Sequence, residues 1–206
     1  MRESIWLGHL GRALFDLGQV KQAMSLYEEA LIIARIVGYR RNEVIWLNKL
    51  GNAHWTLGQV EQATDLYEQA LVIARAIGYH LGESYQLLGL GKALLAIREL
   101  SEARQHCAEA LALDVPQTSY QAALALGVVL LHQRDPAAGD TFADAITLCR
   151  DMLEKTAGLC EPHYTLAAAL AGQTVCAPHW GDKSKRPALL APTLAEYRRA
   201  LEITAA

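Results

Sequence analysis

Scarcity defines this sequence before any motif does. It has only six prolines among 206 residues, and hydrophobic residues at 52% far outnumber charged ones at 20%, so the chain is expected to fold rather than remain disordered. Aromatic residues make up only 7%, while alanine and leucine dominate, which favours helix over sheet. Neither sign of charge prevails. A net charge of −3 and a pI near 6.2 give no reason to expect nucleic acid or an anionic membrane as partner. No apolar run approaches the roughly 18–20 residues that span a bilayer. The opening stretch MRESIWLGHLGRALFDLG has helical periodicity, carries Glu3 and Asp16, and lacks the apolar block and cleavage site of a signal peptide. The four cysteines, Cys107, Cys149, Cys160 and Cys176, are irregularly spaced with no C-x-x-C pair, which predicts free thiols in a reducing, cytoplasmic location.

Catalytic signatures are also missing. There is no G-x-x-x-x-G-K-[ST] phosphate loop, no G-x-G-x-x-G and no G-x-S-x-G elbow. No nucleophile has a base and an orienting partner at a recognisable spacing. The Glu28–Glu29 pair falls on a charged helix face and reads as solvated surface. The expectation is a non-catalytic protein that needs no cofactor.

What is present is repetition. LGQVKQAMSLYEEALIIAR, from Leu17 to Arg35, returns 40 positions later as LGQVEQATDLYEQALVIAR, from Leu57 to Arg75. Aligning Trp6–Ile45 with Trp46–Tyr85 gives 22 identities in 40 positions, the mark of a repeat array. Apolar residues within each copy follow helical spacing: Leu7, Leu10 and Leu14, then Val20, Ala23, Tyr27, Ala30 and Ile33. Gly18 and Gly58 separate the two periodic stretches, and Gly38 and Gly78 close the second, as left-handed helix terminators do. Each copy is therefore expected to be a helix hairpin. Gly11 and Gly51 lie inside the first helix, where glycine costs about 1 kcal/mol relative to alanine, so a close approach is expected there. Ala23 and Ala30, with Ala63 and Ala70, offer the matching shallow surface, and Tyr27 and Tyr67 the large knob between them. A single hairpin cannot bury both faces, so hairpins must stack.

These residues resemble the tetratricopeptide repeat family: Leu7, Leu10, Gly11, Leu14, Gly18, Ala23, Tyr27 and Ala30, then Leu47, Leu50, Gly51, Gly58, Ala63, Tyr67 and Ala70. The 40-residue period is similar to the variant in kinesin light chains, in Leu-Gly-Asn repeat scaffolds and in the sensor arms of bacterial STAND-type signalling NTPases. The resemblance implies an all-α, right-handed α-solenoid of about four to five stacked antiparallel hairpins. It is specific over residues 2–113. A single array over 1–206 is expected, with repeats near 2–40, 41–80, 81–115, 117–157 and 160–204, the last interrupted by a loop at about 173–192. In the third repeat Arg98 replaces the turn glycine, and Asp114–Val115–Pro116 ends it early. Asp135–Pro136 marks the turn of the fourth.

The resemblance also implies a function: binding of a protein or peptide segment on a concave face lined by first helices. Carried over, the groove positions are Gly8, Arg12 and Phe15, then Asn48, Asn52 and Trp55, then Leu88, Lys92 and Leu95. Asn48 and Asn52 lie four apart on one helical face, where amides can bond a peptide backbone without reading its side chains. Phe15 and Trp55 suit either an apolar anchor pocket or packing against the next hairpin. The alternative function is the sensor or regulatory arm of a larger signalling NTPase or transcriptional regulator.

Two further features remain. Cys160–Glu161–Pro162–His163 and Cys176–Ala177–Pro178–His179 would together offer zinc two thiolates and two imidazoles. Against this, Pro162 suits the first turn of a helix, which would leave Cys160 just outside it and His163 on the surface. The C-x2-H spacing also departs from usual zinc patterns, so no metal is assigned. Finally, Met1–Ile5 aligns with Arg41–Ile45, so Trp6, Leu7 and Leu10 open the array without a capping element. The chain is thus expected to be part of a longer protein or to self-associate through its ends.

Overall fold

The computed structural model describes residues 2–156, 159–177, 181 and 185–205. They form ten helices and, among the described residues, no strand: α1 Arg2–Asp16, α2 Val20–Val37, α3 Arg40–Thr56, α4 Val60–Ala76, α5 His80–Ala96, α6 Leu100–Ala112, α7 Pro116–Gln133, α8 Ala138–Lys155, α9 Cys160–Cys176 and α10 Arg186–Ala205. Two compact units divide them, Met1–Ile97 and Arg98–Ala206.

In the first unit each helix packs on its neighbours in sequence, and α3 also touches α5. The turns are set by Gly18, Gly38, Gly58 and Gly78, all left-handed, with φ between 64° and 78°. Gly38 closes α2 with its N–H on the carbonyls of Ala34 and Arg35. Ala23, Ala30, Ala34, Ala53, Ala63, Ala70 and Ala74 are buried, so the helices approach closely. The helical glycines take aromatic rings. A Cβ on Gly11 would lie 2.7 Å from Tyr27 Cε1, and one on Gly51 would lie 2.5 Å from Tyr67 Cε1. The other edge of the Tyr67 ring faces Gly89, at 3.0 Å from where its Cβ would be. The expected knob is therefore real, and its socket is the glycine itself. At Gly8 any Cβ would overlap the Trp46 ring. That indole stacks on Tyr27 with centroids 6.4 Å apart, and its Nε1 donates to Ser4 Oγ at 2.9 Å.

An ionic contact recurs with the same period. Arg35 Nε meets Glu43 Oε1 at 3.0 Å, and Arg75 Nε meets Glu83 Oε1 at 2.8 Å. Each joins the end of one repeat's second helix to the first helix of the next. Arg40 adds a second cation to the buried Glu43 carboxylate at 2.7 Å.

The second unit repeats the logic with different residues. Phe142 of α8 lies against both Gly127 of α7 and Gly172 of α9, as Tyr67 does against Gly51 and Gly89. Arg98 and Arg134 hold the left-handed turn conformation without glycine, at φ 69° and 56°. Pro116 opens α7 after the left-handed Asp114, as the sequence implies. Asp135 Oδ1 accepts the Ala137 N–H at 2.9 Å and shapes the turn into α8.

Of the loop expected at about 173–192, residues 178–180 and 182–184 lie outside the described residues, and helix occupies both of its ends. Helix α9 continues to Cys176, and α10 starts at Arg186 and runs through Pro192. An interior proline costs about 3 kcal/mol in a helix, but α10 packs along α9, and Thr174 Oγ1 donates to the Leu189 carbonyl at 3.3 Å. Those tertiary contacts lie within the segment that the prolines suggested was irregular.

Candidate functional site

First helices α1, α3 and α5 carry the expected groove positions, all in the first unit. At their centre a line of hydrogen bonds crosses three helices. The Tyr67 hydroxyl of α4 donates to Asn52 Oδ1 at 2.7 Å. Asn52 Nδ2 donates to Asn48 Oδ1 at 3.3 Å, and Asn48 Nδ2 donates to Gln86 Oε1 at 3.0 Å. Gln86 Nε2 ends the line on the Gly82 carbonyl at 3.2 Å. Burial raises the Tyr67 phenol above its ordinary range, so it stays a neutral donor. Both asparagines are half-buried and fixed in orientation.

A small charged group adjoins this line. Lys49 is half-buried on α3, and burial, followed by the nearby Arg12 guanidinium, lowers its pKa; Asp16 acts in the opposite direction. Arg12 reaches Asp16 at 3.8 Å, but both are largely exposed and such a pair adds little stability. Lys92, at the position equivalent to Arg12 and Asn52, is exposed.

Several of the expected groove positions have little exposed surface. Gly8 is buried under the Trp46 ring, and Leu88 is buried in the first unit, so both are packing positions. Phe15 is half-buried against the core cluster of α1 to α4, and Leu95 is half-buried. Trp55 keeps 36% of its surface exposed. Arg12, Trp55 and Lys92 are exposed, and Asn48 and Asn52 half-buried. Sequence reasoning missed Lys49 and Gln86. Gln86 was detectable, since it stands where Trp6 and Trp46 stand in the other repeats, and a polar residue there needs a polar partner.

The two cysteines of the cysteine–histidine tetrads lie at opposite ends of one helix. Cys160 and Cys176 are the first and last residues of α9, so the rise of a 17-residue helix puts their backbones about 24 Å apart. Pro162 does fall in the first turn, but Cys160 is inside the helix rather than before it. His163 is buried, not on the surface, and its Nδ1 lies 3.0 Å from Glu196 Oε2 of α10. His179 lies outside the described residues. No group of three or more metal-binding side chains forms among the described residues. Cys107, Cys149 and Cys176 are free thiols.

With this geometry in place, known proteins can be compared. The profile of the tetratricopeptide repeat matches residues 2–76 and 42–114, more than half of the chain. The chain belongs to the tetratricopeptide repeat family. No curated protein matches it in sequence. Among solved structures, BtubC (BKLC) from P. vanneervenii is similar with a TM-score of 0.70 and 20% identity, over 97% of this chain and 78% of that one. A variant of a Podosopora anserina kinesin light chain with nearly identical TPR-like repeats gives 0.67 and 18%, over 98% and 99%. A Rap protein complexed with Competence and Sporulation Factor gives 0.71 and 16%, over 95% and 55%. At these identities the likeness establishes the fold, an all-α repeat solenoid. Tetratricopeptide repeats are in general non-catalytic protein-interaction modules. No helix among the described residues is long and apolar enough to cross a membrane.

Proposed function

We propose that the face of the first unit lined by α1, α3 and α5 binds an extended or helical segment of a partner protein. The observation that carries this reading is the pair Asn48 and Asn52, held in place by Gln86 and Tyr67. A primary amide has two N–H donors, and the bonds among the described residues commit one from each asparagine. In this reading the second N–H of each meets a carbonyl of the bound backbone. Arg12, Lys49 and Lys92 contribute positive charge, offset in part by Asp16, in keeping with a segment that carries acidic side chains. Trp55 supplies an apolar anchor at the edge. In its solved structure, the similar Rap protein is complexed with Competence and Sporulation Factor, in keeping with a fold that takes such ligands.

The test begins with affinity capture of a partner and mapping of the bound segment. The combined variant Arg12→Ala, Asn52→Ala, Lys92→Ala is expected to weaken that segment's binding at least tenfold, about 1.4 kcal/mol, while leaving helicity unchanged. Undiminished affinity in the folded variant removes this face from the account. The same face serves a free-standing scaffold or the regulatory arm of a larger switch, and a nucleotide-binding domain encoded upstream selects the second.

A further inference from the structure

Repetition predicts that the turn from α2 to α3 and the turn from α4 to α5 are alike, and they differ. In the second, Tyr79 lays its ring over Gly82, where a Cβ would come within 2.3 Å of Tyr79 Cδ1, and the ring packs against the core cluster. In the first, Tyr39 is the equivalent tyrosine, but Asn42 stands where Gly82 does. The Asn42 side chain takes the place that the Tyr79 ring uses, and Tyr39 stays 38% exposed. Beside it lies a cleft of about 180 Å³, open to solvent and lined by Ser4, Ile33, Ala34, Val37, Tyr39 and Asn42. Small-molecule pockets run to roughly 300–1,000 Å³, so this cleft suits a single side chain.

Apolar surface continues outward from the cleft. Ile33 and Val37 line it, and Ile32 and Ile36 form the adjoining stripe of α2. Ile36 is 79% exposed, Ile32 56% and Val37 49%. Aliphatic side chains grouped so openly mark interaction surfaces. The same corner of the next repeat is poorer in them, with Ala76 in place of Ile36. The rim is cationic. Arg35 and Arg40, each about half-exposed, share the one Glu43 carboxylate at 3.0 and 2.7 Å, which leaves a positive charge over. Arg41 adds another, its guanidinium carbon 4.4 Å from the Tyr79 ring centroid. In the next repeat His80 and Leu81 stand where Arg40 and Arg41 do. The apolar and the cationic departures from the repeat thus coincide at one corner.

We infer that this corner of α2 and α3 docks a segment of a partner protein in which aliphatic side chains alternate with acidic ones. One aliphatic side chain enters the cleft against Val37 and Tyr39, a second covers Ile36, and carboxylates meet Arg40 and Arg41. The exposed Glu29 lies one turn before Ile32 on the same stripe of α2. A flat anionic membrane would press its headgroups against that carboxylate, whereas a short segment stops before it. The corner shares no residue with the asparagine face, and its role is independent of the function proposed there.

The experiment selects a displayed random dodecapeptide library on the full chain and then titrates labelled synthetic copies of the enriched peptides. These are expected to combine aliphatic with acidic residues, and their affinity is expected to fall as salt rises. Ile36→Glu is expected to weaken their binding at least tenfold; the side chain is largely exposed, so folding is not at stake. Asn42→Gly is expected to weaken it by another route, because Tyr39 can then seat as Tyr79 does and close the cleft. Slower nitration of Tyr39 by tetranitromethane in the N42G protein would record that seating. The combined variant Arg12→Ala, Asn52→Ala, Lys92→Ala is expected to keep these peptides bound, which separates this corner from the asparagine face. The inference is overturned if no peptide is enriched, or if the I36E or N42G protein binds the enriched peptides undiminished. It is also overturned if sedimentation shows copies of the chain pairing through Ile36, or if phosphatidylserine vesicles bind the chain in an Ile36-dependent way.

Discussion

At the residue scale, the decisive side chains are the rings that occupy missing side chains. Gly51 costs its helix intrinsic stability but makes room for Tyr67, whose hydroxyl in turn orients Asn52. Gly51→Ala improves helix propensity by about 1 kcal/mol yet drives a methyl group into the ring. The net expectation is a loss of about 1–3 kcal/mol by urea denaturation, with weakened partner binding, because the ring carries the hydroxyl that fixes the site. A more stable G51A protein would show that the glycine has no packing role. The thiols give a second prediction. Burial pushes Cys149 up to about 12 from an ordinary 9.0. The folded state therefore holds a proton that the unfolded state has released between those values. Cys149 contributes nothing to pH dependence below about pH 9, and it lowers stability progressively as pH rises from there toward 12. At pH 8, iodoacetamide is expected to reach the partly exposed Cys176 first and to modify Cys149 only when the protein unfolds, as peptide mass mapping over time would record.

At the element scale, turns and joints separate what the sequence disclosed from what it concealed. The glycine turns were legible because a left-handed residue has few alternatives. Arg98 was visible only as the missing glycine, and the structure shows that it adopts the same conformation, at φ 69°. An L-residue there is strained by about 1 kcal/mol. Arg98→Gly is accordingly expected to stabilise the protein by up to about that amount, net of glycine's greater unfolded-state entropy; a destabilised R98G would mean that the Arg98 side chain matters more than its backbone. Prolines at 178, 187 and 192 suggest a loop, whereas packing on α9, which local sequence does not reveal, keeps α10 helical through the last of these. The Arg35–Glu43 and Arg75–Glu83 links were recoverable, since both residues of each pair repeat at 40 positions. An eight-residue spacing does not announce a pair, since it becomes this contact only across a turn. The asparagine face was half legible: spacing placed Asn48 and Asn52 together, but only the fold supplied Gln86 and Tyr67.

At the scale of the whole molecule, nearest-neighbour stacking makes stability local. In the first unit, α3 and α4 have packed helices on both sides, whereas α1 presents Trp6 and Leu10 to solvent. Hydrogen exchange is expected to be slowest at the amides of α3 and α4 and fastest in α1. Uniform protection across α1 to α4 would show instead that the unit opens in a single cooperative step. The repeat period announces this chain-like behaviour, while composition alone would also suit a globular bundle with one shared core. The resemblance read from Leu7 to Ala70 reached the family, and the family profile covers that same region.

Tyr67, seated between Gly51 of α3 and Gly89 of α5, also has a mechanical consequence. A ring caught in two notches is a detent: α3 and α5 cannot slide along each other without lifting it out of both. Under a pulling force, this part of the chain should therefore stay rigid in shear until one detent slips, and then yield abruptly. Replacing the ring with a smaller apolar side chain would turn that step into a gradual creep.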